Sequence, residues 1–199
     1  GEHKARYPLL DVDNPTTHGP LDLFDYYFEH KRKQSEAMFQ SKLIFKELAK
    51  EFTETFGKPM GELENYKTED ADYIIVALSS TCGTAKVVVD KLREEGKKVG
   101  LLKLRLFRPF PSHEIRKSLE NAKYVAVLDR SESFGGFGGP LFSEVRSALY
   151  GYNPEIVDYI YGLGGREIDT KMIEQVFNDL QNYEDNEITE YVKYLGVRE

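Results

Sequence analysis

The sequence predicts an α/β fold with a mainly parallel open sheet and flanking helices, preceded by an extended arm and a long helix. Two observations support this prediction. From residue 73 onward, short apolar runs alternate with segments of helical periodicity, a pattern typical of right-handed βαβ units. One apolar run, residues 98–107, lacks polar–apolar alternation, which is typical of a strand buried on both faces of a parallel sheet.

The first third of the chain has a different pattern. Residues 1–20 contain an Asn-Pro and a Gly-Pro pair, which indicate an extended arm. Residues 21–69 are predicted to form a long connecting helix and an acidic linker, and residues 70–199 form the α/β domain. Asp22 is the expected N-cap of the helix, and Gly57 is its expected stop.

The connecting helix has an apolar stripe at helical spacing. Its members are Met38, Phe45, Leu48, Phe52 and Phe56. A helix this long cannot bury the stripe against itself. We therefore expect it to pack on the α/β domain, on a part of the protein outside this sequence, or on another subunit.

Strands and helices alternate along the predicted α/β domain. The predicted strands are residues 73–78, 98–107, 123–130 and 155–162. The predicted helices are residues 83–96, 112–122, about 140–150 and 169–180, and the residues after Tyr183 are expected to form a terminal helix. Ser112 is the expected N-cap of the second of these helices.

Composition narrows the function classes. The net charge is −7 and no basic stripe is present, so a nucleic-acid partner is not expected. Cys82 is the one cysteine and the four histidines are scattered, which argues against a disulfide framework, a cysteine-ligated iron–sulfur cluster and a metal site in this chain. No signal peptide opens the chain and no apolar run is long enough to span a bilayer, so we expect a cytoplasmic location without a membrane partner.

Small and basic residues follow the predicted strands. Parallel strands place their carboxyl ends at one edge of a sheet, where open α/β sheets bind ligands or partners. These residues form a candidate interface or anion site: Gly83, Thr84, Arg108, Arg130, Gly136, Gly138, Gly139 and Arg166. For Gly83 and Thr84 the alternative is a simple N-cap turn. The alternative for the arginines is capping of carbonyl groups or pairing with acids.

Two further features leave alternatives open. The glycine-rich loop, residues 129–141, lacks the last glycine of a dinucleotide fingerprint because Leu141 stands at that position, so it suits either a neighbouring subunit or a ligand. Asp129 and Arg130 either pair with each other or fasten this loop. Cys82 follows a strand at a helix start and is either a reactive thiol or a packing residue, and the packing role is favoured because no histidine base is identifiable.

Several ordered motifs carry a family resemblance. They are YPLLDVDNPTTHGPLDLFDYYFEHKRKQSEAM, the acidic segment 69–72, EEGKKVGLLKLRLFRPFP, VAVLDRSESFGGFGGPL and GLGGREI. Together they resemble the C-terminal half of the α subunits of pyruvate:ferredoxin oxidoreductases (pyruvate synthases), in the 2-oxoacid:ferredoxin oxidoreductase family. The likeness runs from about Tyr7 to Leu180.

The resemblance implies a domain similar to the C-terminal domain of transketolases. It also implies a complex that converts pyruvate and coenzyme A to acetyl-CoA and carbon dioxide while reducing ferredoxin, or the reverse. Thiamine diphosphate, magnesium and iron–sulfur clusters would reside in that complex, with the β subunit and the iron–sulfur subunits as partners. This segment would hold no catalytic residue and bind no cofactor alone. The alternatives are a 2-oxoisovalerate enzyme of the same family and a stand-alone anion-binding module.

Overall fold

The computed structural model describes residues 2–4, 11–15, 18–19 and 21–198. Much of the predicted arm therefore lies outside the described residues. The chain falls into two compact units, residues 1–41 and residues 42–199. The division predicted from the sequence, at residues 20 and 69, stays a prediction.

Helix α1 spans Tyr27–Phe56 and begins later than the sequence predicts. The Asp22 carboxylate does not cap it, because Asp22 Oδ2 lies 2.7 Å from His30 Nδ1, one turn inside the helix. The predicted stop is confirmed, since Gly57 follows the last helical residue with a φ of +63° and its amide bonds to the Thr53 carbonyl at 2.9 Å. A left-handed residue at this position commonly ends a helix.

The packed part of α1 differs from the predicted stripe. Ala49 is buried and Phe45 and Phe52 are half-buried, whereas Leu48 and Phe56 are 57% and 62% exposed. The packed surface is fixed by charge as well as by apolar contact. Lys42 and Lys46 each form ion pairs with Glu62 and Glu114, so the turn of helix between them faces these two carboxylates.

A six-stranded sheet forms the centre of the second unit. Its strands are β1 (Leu63–Tyr66), β2 (Tyr73–Leu78), β3 (Val99–Leu104), β4 (Tyr124–Asp129), β5 (Glu155–Tyr161) and β6 (Val192–Leu195). The order across the sheet is β1-β3-β2-β4-β5-β6, and β1 alone is antiparallel to its neighbour. The predicted mainly parallel α/β fold is confirmed, and the four predicted strands are β2, β3, β4 and β5.

Neither edge strand of the sheet, β1 or β6, is predicted from the sequence. β1 lies within the segment predicted as an acidic linker, and its Leu63–Tyr66 run pairs residue by residue with Leu101–Leu104. The terminal helix expected after Tyr183 is wrong, because the chain there returns to the sheet as β6. β6 pairs with β5, whose last five residues are buried. The free hydrogen-bonding edge of β5 is satisfied by an additional strand and would not be satisfied by a helix.

Helices cover both faces of the sheet. They are α2 (Thr81–Glu94), α3 (Ser112–Leu119), α4 (Pro140–Ala148) and α5 (Thr170–Asn182). Buried side chains of α2 and α5 form one core with alternate residues of the strands, and those of α3 and α4 form a second core on the opposite face. Pro111, rather than the predicted Ser112, is the N-cap of α3. The carboxyl ends of β2 to β5 thus share one edge, and the predicted site residues follow them.

Candidate functional site

Two buried carboxylates hold the glycine-rich loop where it enters α4. Asp129, the last residue of β4, accepts hydrogen bonds from the amides of Leu141 at 3.2 Å and Phe142 at 2.8 Å. Asp158, in the middle of β5, accepts one from the amide of Gly139 at 2.7 Å. Gly139 is the N-cap of α4 and has no side chain to cap the helix, so the carboxylates of two strands supply the missing acceptors.

Burial changes the protonation of both carboxylates. Asp158 has no exposed surface, and burial, with a further contribution from the Asp129 charge, raises the pKa of its carboxyl to about 7. Burial also raises the pKa of Asp129. Asp158 Oδ1 has no hydrogen-bond partner in the described part of the chain. Near neutral pH, the Asp158 carboxyl therefore exists in both its protonated and its ionised form.

The glycines of the loop have different roles. Gly138 has a φ of +80°, and a Cβ there would come within 2.8 Å of Asp158 Oδ2. A Cβ on Gly139 would overlap the Asp129 carboxylate. Gly136 is exposed and its amide donates to the Ser133 carbonyl at 2.6 Å. The sequence predicts that these glycines allow another group to approach the backbone closely. At Gly138 that group is the Asp158 carboxylate of this same chain, and at Gly139 it is the Asp129 carboxylate.

Arg108 contacts the middle of α4. Its Nη2 donates to Glu144 Oε1 at 2.6 Å and its Nη1 to the carbonyl of Phe107 at 2.9 Å. The guanidinium carbon also stands 4.2 Å from the centre of the Phe107 ring. Arg108 is therefore held by its own domain, although its side chain remains about half exposed.

Arg130 and Arg166 both bond to the backbone of loops at the carboxyl edge. Arg130 Nε donates to the Gly162 carbonyl at 3.2 Å. Arg166 Nη1 donates to the Gly196 carbonyl at 2.7 Å. Arg130 thus links the end of β4 to the turn after β5, and Arg166 links that turn to the segment after β6. These two predicted residues lie on one continuous part of the edge.

The start of α2 is a closed turn. The Gly83 amide donates to the Ser80 carbonyl at 2.9 Å, and Thr84 is half-buried in the first turn. The Thr81 hydroxyl shares a buried 2.7 Å hydrogen bond with the Tyr161 hydroxyl. This bond joins the start of α2 to the end of β5.

Cys82 lies in the same turn but is fully buried. Burial raises the pKa of its thiol to about 11. A thiol with that pKa is protonated at neutral pH and is a poor nucleophile. The packing role favoured by the sequence therefore fits the structure.

The sequence prediction does not include three residues that hold the loops at the carboxyl edge. They are Asp158, Glu144 and Tyr161. A signal was present for Asp158, because an acidic residue stands inside the apolar run 155–161. A charged residue in a strand that is otherwise buried needs a polar partner.

The donor set of this chain does not fit two of the cofactors that the family resemblance implies for the complex, the iron–sulfur clusters and the metal ion. Four-iron clusters are held by several thiolates, and the chain has one cysteine. Within residues 2–4, 11–15, 18–19 and 21–198, no group of three or more His, Cys, Asp or Glu side chains is arranged to hold a metal ion. The helices of this same part include none that is long and apolar enough to cross a membrane.

Comparison with known proteins identifies the class. The family model described as "Pyruvate:ferredoxin oxidoreductase core domain II" matches residues 71–173, from the start of β2 to the first turns of α5. The chain therefore belongs to the pyruvate:ferredoxin oxidoreductase family. The resemblance predicted from the sequence motifs is confirmed.

Individual relatives are similar to this chain over most or all of its length. Pyruvate synthase subunit PorA of Thermotoga maritima is 52% identical over 201 residues, which cover 100% of this chain and 50% of that protein. PorA of Methanocaldococcus jannaschii is 39% identical with the same coverage. Ketoisovalerate oxidoreductase subunit VorA of Pyrococcus horikoshii is 41% identical over 181 residues, or 89% of this chain and 46% of that protein. The chain thus spans about half the length of these relatives, whose names as subunits imply partner chains.

Two solved structures show weaker similarity. One is a 2-oxoglutarate:ferredoxin oxidoreductase from Magnetococcus marinus, at 22% identity and a TM-score of 0.45 over 61% of this chain and 20% of that chain. The other is a split-gene transketolase, at 16% identity and a TM-score of 0.45 over 60% of this chain and 41% of that chain.

Proposed function

We propose that this chain is part of a multisubunit 2-oxoacid:ferredoxin oxidoreductase that converts pyruvate and coenzyme A to acetyl-CoA and carbon dioxide with reduction of ferredoxin, or runs the reverse reaction. The observation that supports this proposal is the 52% identity, over the whole chain, to a pyruvate synthase subunit. The task of this segment is structure and assembly. Thiamine diphosphate, magnesium and the iron–sulfur clusters would be held by the β subunit, the iron–sulfur subunits and the remainder of the α subunit.

The contacts at the carboxyl edge support an assembly role over a catalytic one. Asp129 accepts from backbone amides, and Arg108 and Arg130 are bonded to a carboxylate and a carbonyl of this chain. These groups are occupied in holding loops in place. Because fixed loops lose little conformational entropy on docking, the same contacts favour tight association with a neighbouring surface.

Exposed aromatic side chains provide the docking surface. Phe134, at the tip of the glycine-rich loop, is 99% exposed, and Phe137 on the same loop is also exposed. Large aromatic residues on rigid supports are the side chains that most often dominate protein–protein interfaces. We therefore infer that the glycine-rich loop inserts Phe134 into an apolar recess of a partner domain or subunit.

The experiment is a pull-down of the complete complex through a tag on the iron–sulfur partner. We expect Phe134→Ser to reduce the recovered α subunit by at least about tenfold, because a central aromatic anchor is worth about 2 kcal/mol or more. The matched control is Tyr150→Ser. Tyr150 is 89% exposed but precedes β5, so it lies at the opposite edge of the sheet. Full recovery with Phe134→Ser, or equal loss with both variants, would contradict the assembly role of this loop.

A second candidate substrate is 2-oxoisovalerate, because the VorA relative is 41% identical over most of the chain. The measurement is kcat/KM of the complete complex on pyruvate and on 2-oxoisovalerate. We expect pyruvate to be preferred. A preference for the branched acid would move the chain to the ketoisovalerate group without changing its proposed assembly role.

A further inference from the structure

A cavity of about 300 Å³ lies at the carboxyl edge, beyond the ends of β5 and β6. Gly162, Leu163 and Arg166, from the turn after β5, form one wall, and residues 194–198 form the other. Its floor is the last residues of the two strands. The carboxyl edge is where open α/β sheets bind small ligands, and the proposed assembly role does not use this cavity.

The charges of the cavity are of one sign. Arg166 and Arg198 both line it, and none of its lining residues is acidic. Within the described part of the chain neither guanidinium forms an ion pair, although the net charge of the chain is −7. By contrast, Arg93, Arg105 and Arg108 each pair with a carboxylate.

Arg166 is fixed in place with most of its donors free. Its Nη1 donates to the Gly196 carbonyl at 2.7 Å, which crosses from one wall of the cavity to the other. The fork of Nε and Nη2 is not used by that bond. A guanidinium held on one side in this way is preorganised to accept an anion on the other.

A third guanidinium adds to the positive charge at the rim. Arg130 packs on the turn, where a Cβ at Gly162 would stand 3.0 Å from Arg130 Nε. Gly162 has a φ of +65°, so glycine at this position both permits the turn and leaves room for the arginine. Arg130, Arg166 and Arg198 thus come from the ends of three different strands to one turn.

We propose that this cavity binds a phosphate or diphosphate group, with Arg166 and Arg198 as its ligands. The planar fork of arginine matches the oxygens of phosphate, and two guanidiniums balance a dianion. Leu163, Val197 and the Tyr194 ring form an apolar wall for the remainder of the ligand. The volume is at the lower end of small-molecule sites, which suits a phosphate-bearing group rather than a large cofactor.

Binding is measured by titration calorimetry of the 199-residue chain with inorganic phosphate and with pyrophosphate, at constant ionic strength. We expect saturable binding of one anion per chain. Tighter binding of pyrophosphate identifies a diphosphate site, and equal affinities identify a monophosphate site. Arg166→Gln should weaken binding by at least about tenfold, because a hydrogen bond to a charged group contributes about 1.5–3 kcal/mol.

The controls separate this site from general charge effects. Arg116→Gln is matched, since Arg116 Nε also donates to a backbone carbonyl, that of Ala148 at 3.0 Å, but lies outside the cavity; its affinity should stay within about twofold of the original. Arg198→Gln removes a side chain with no hydrogen bond in the described part of the chain, so it should weaken binding without affecting folding. Absence of binding at millimolar anion, unchanged affinity in Arg198→Gln, or an equal loss in Arg116→Gln would overturn the proposal.

Discussion

Replacing Asp158 by asparagine should make the chain more stable above about pH 7 and leave its stability nearly unchanged below about pH 4. The wild-type carboxyl is fully buried, accepts one hydrogen bond from the Gly139 amide at 2.7 Å, and has an oxygen without a partner in the described part of the chain. Asparagine keeps the acceptor for Gly139 and has nearly the same shape, but it never becomes charged. The substitution therefore isolates the cost of ionising this side chain.

The magnitude follows from the pKa of Asp158, which burial raises from the ordinary 3.8 to about 7. Below pH 4 the carboxyl is protonated in both the folded and the unfolded chain. Between pH 4 and 7 the unfolded chain releases this proton first, so the free energy of unfolding falls as pH rises. The full loss is at most about 4 kcal/mol. Because local opening of the loop hydrates the charge, we expect about 1–3 kcal/mol.

Chemical denaturation from about pH 3.5 to about pH 8.5 measures the effect. The free energy of unfolding of the wild type should fall across this range, and that of Asp158→Asn should fall by less, so that the variant is about 1–3 kcal/mol more stable at the upper end. Asp185→Asn serves as the control, because Asp185 is exposed. If the free energy of unfolding depended on pH in the same way for the wild type and for Asp158→Asn, the raised pKa of the buried Asp158 carboxyl would be contradicted.

Other substitutions test the same structure by unfolding or labelling. Gly139→Ala should destabilise the chain by about 1–3 kcal/mol because its Cβ overlaps Asp129, whereas Gly83→Ala, which enters open space in a helix, should stabilise it by up to about 1 kcal/mol; equal effects would contradict the packing at Gly139. Lys42→Met should cost about 1–3 kcal/mol at pH 7 by leaving Glu62 and Glu114 short of a partner. Burial alone would raise the pKa of Glu114, yet the Lys42 hydrogen bond and the nearby charges lower it to about 2, so the difference between Lys42→Met and the wild type should shrink as pH falls from 4.5 towards 2. A thiol reagent should label native Cys82 far more slowly than the unfolded chain, and equal rates would show that the thiol is accessible.

The strands that could be predicted are those buried on both faces. Residues 73–78 and 124–129 are almost wholly apolar, and burial alone requires such a sequence. The edge strands β1 and β6 read LENY and VKYL, and their polar residues match a half-exposed edge as well as they match a loop or a helix. These segments become strands because they pair with a neighbouring strand, and the local sequence does not specify that pairing.

The candidate site was predictable in its position but not in its contacts. Glycines and arginines after successive strands place loops at the carboxyl edge, and the structure has them there. The partners come from elsewhere in the sequence: Asp158 for Gly139, Glu144 for Arg108 and the Gly196 carbonyl for Arg166. Each pair is separated by 19 or more residues, so its formation depends on the order of strands in the sheet, which periodicity does not specify.

The packed side of helix α1 could not be predicted from periodicity either, and its exposed apolar side chains bear on the proposed assembly role. Periodicity predicts one apolar stripe, but the segment after Lys42 has more apolar side chains than one stripe can hold. Lys42 and Lys46 reach Glu62 and Glu114, and these ion pairs select which side of the helix packs on the sheet domain. Four apolar side chains of this segment are each more than half exposed: Leu43, Ile44, Leu48 and Phe56. These exposed side chains are consistent with the proposed assembly role, because the sequence predicts that the apolar surface of this helix packs on another part of the protein or on another subunit.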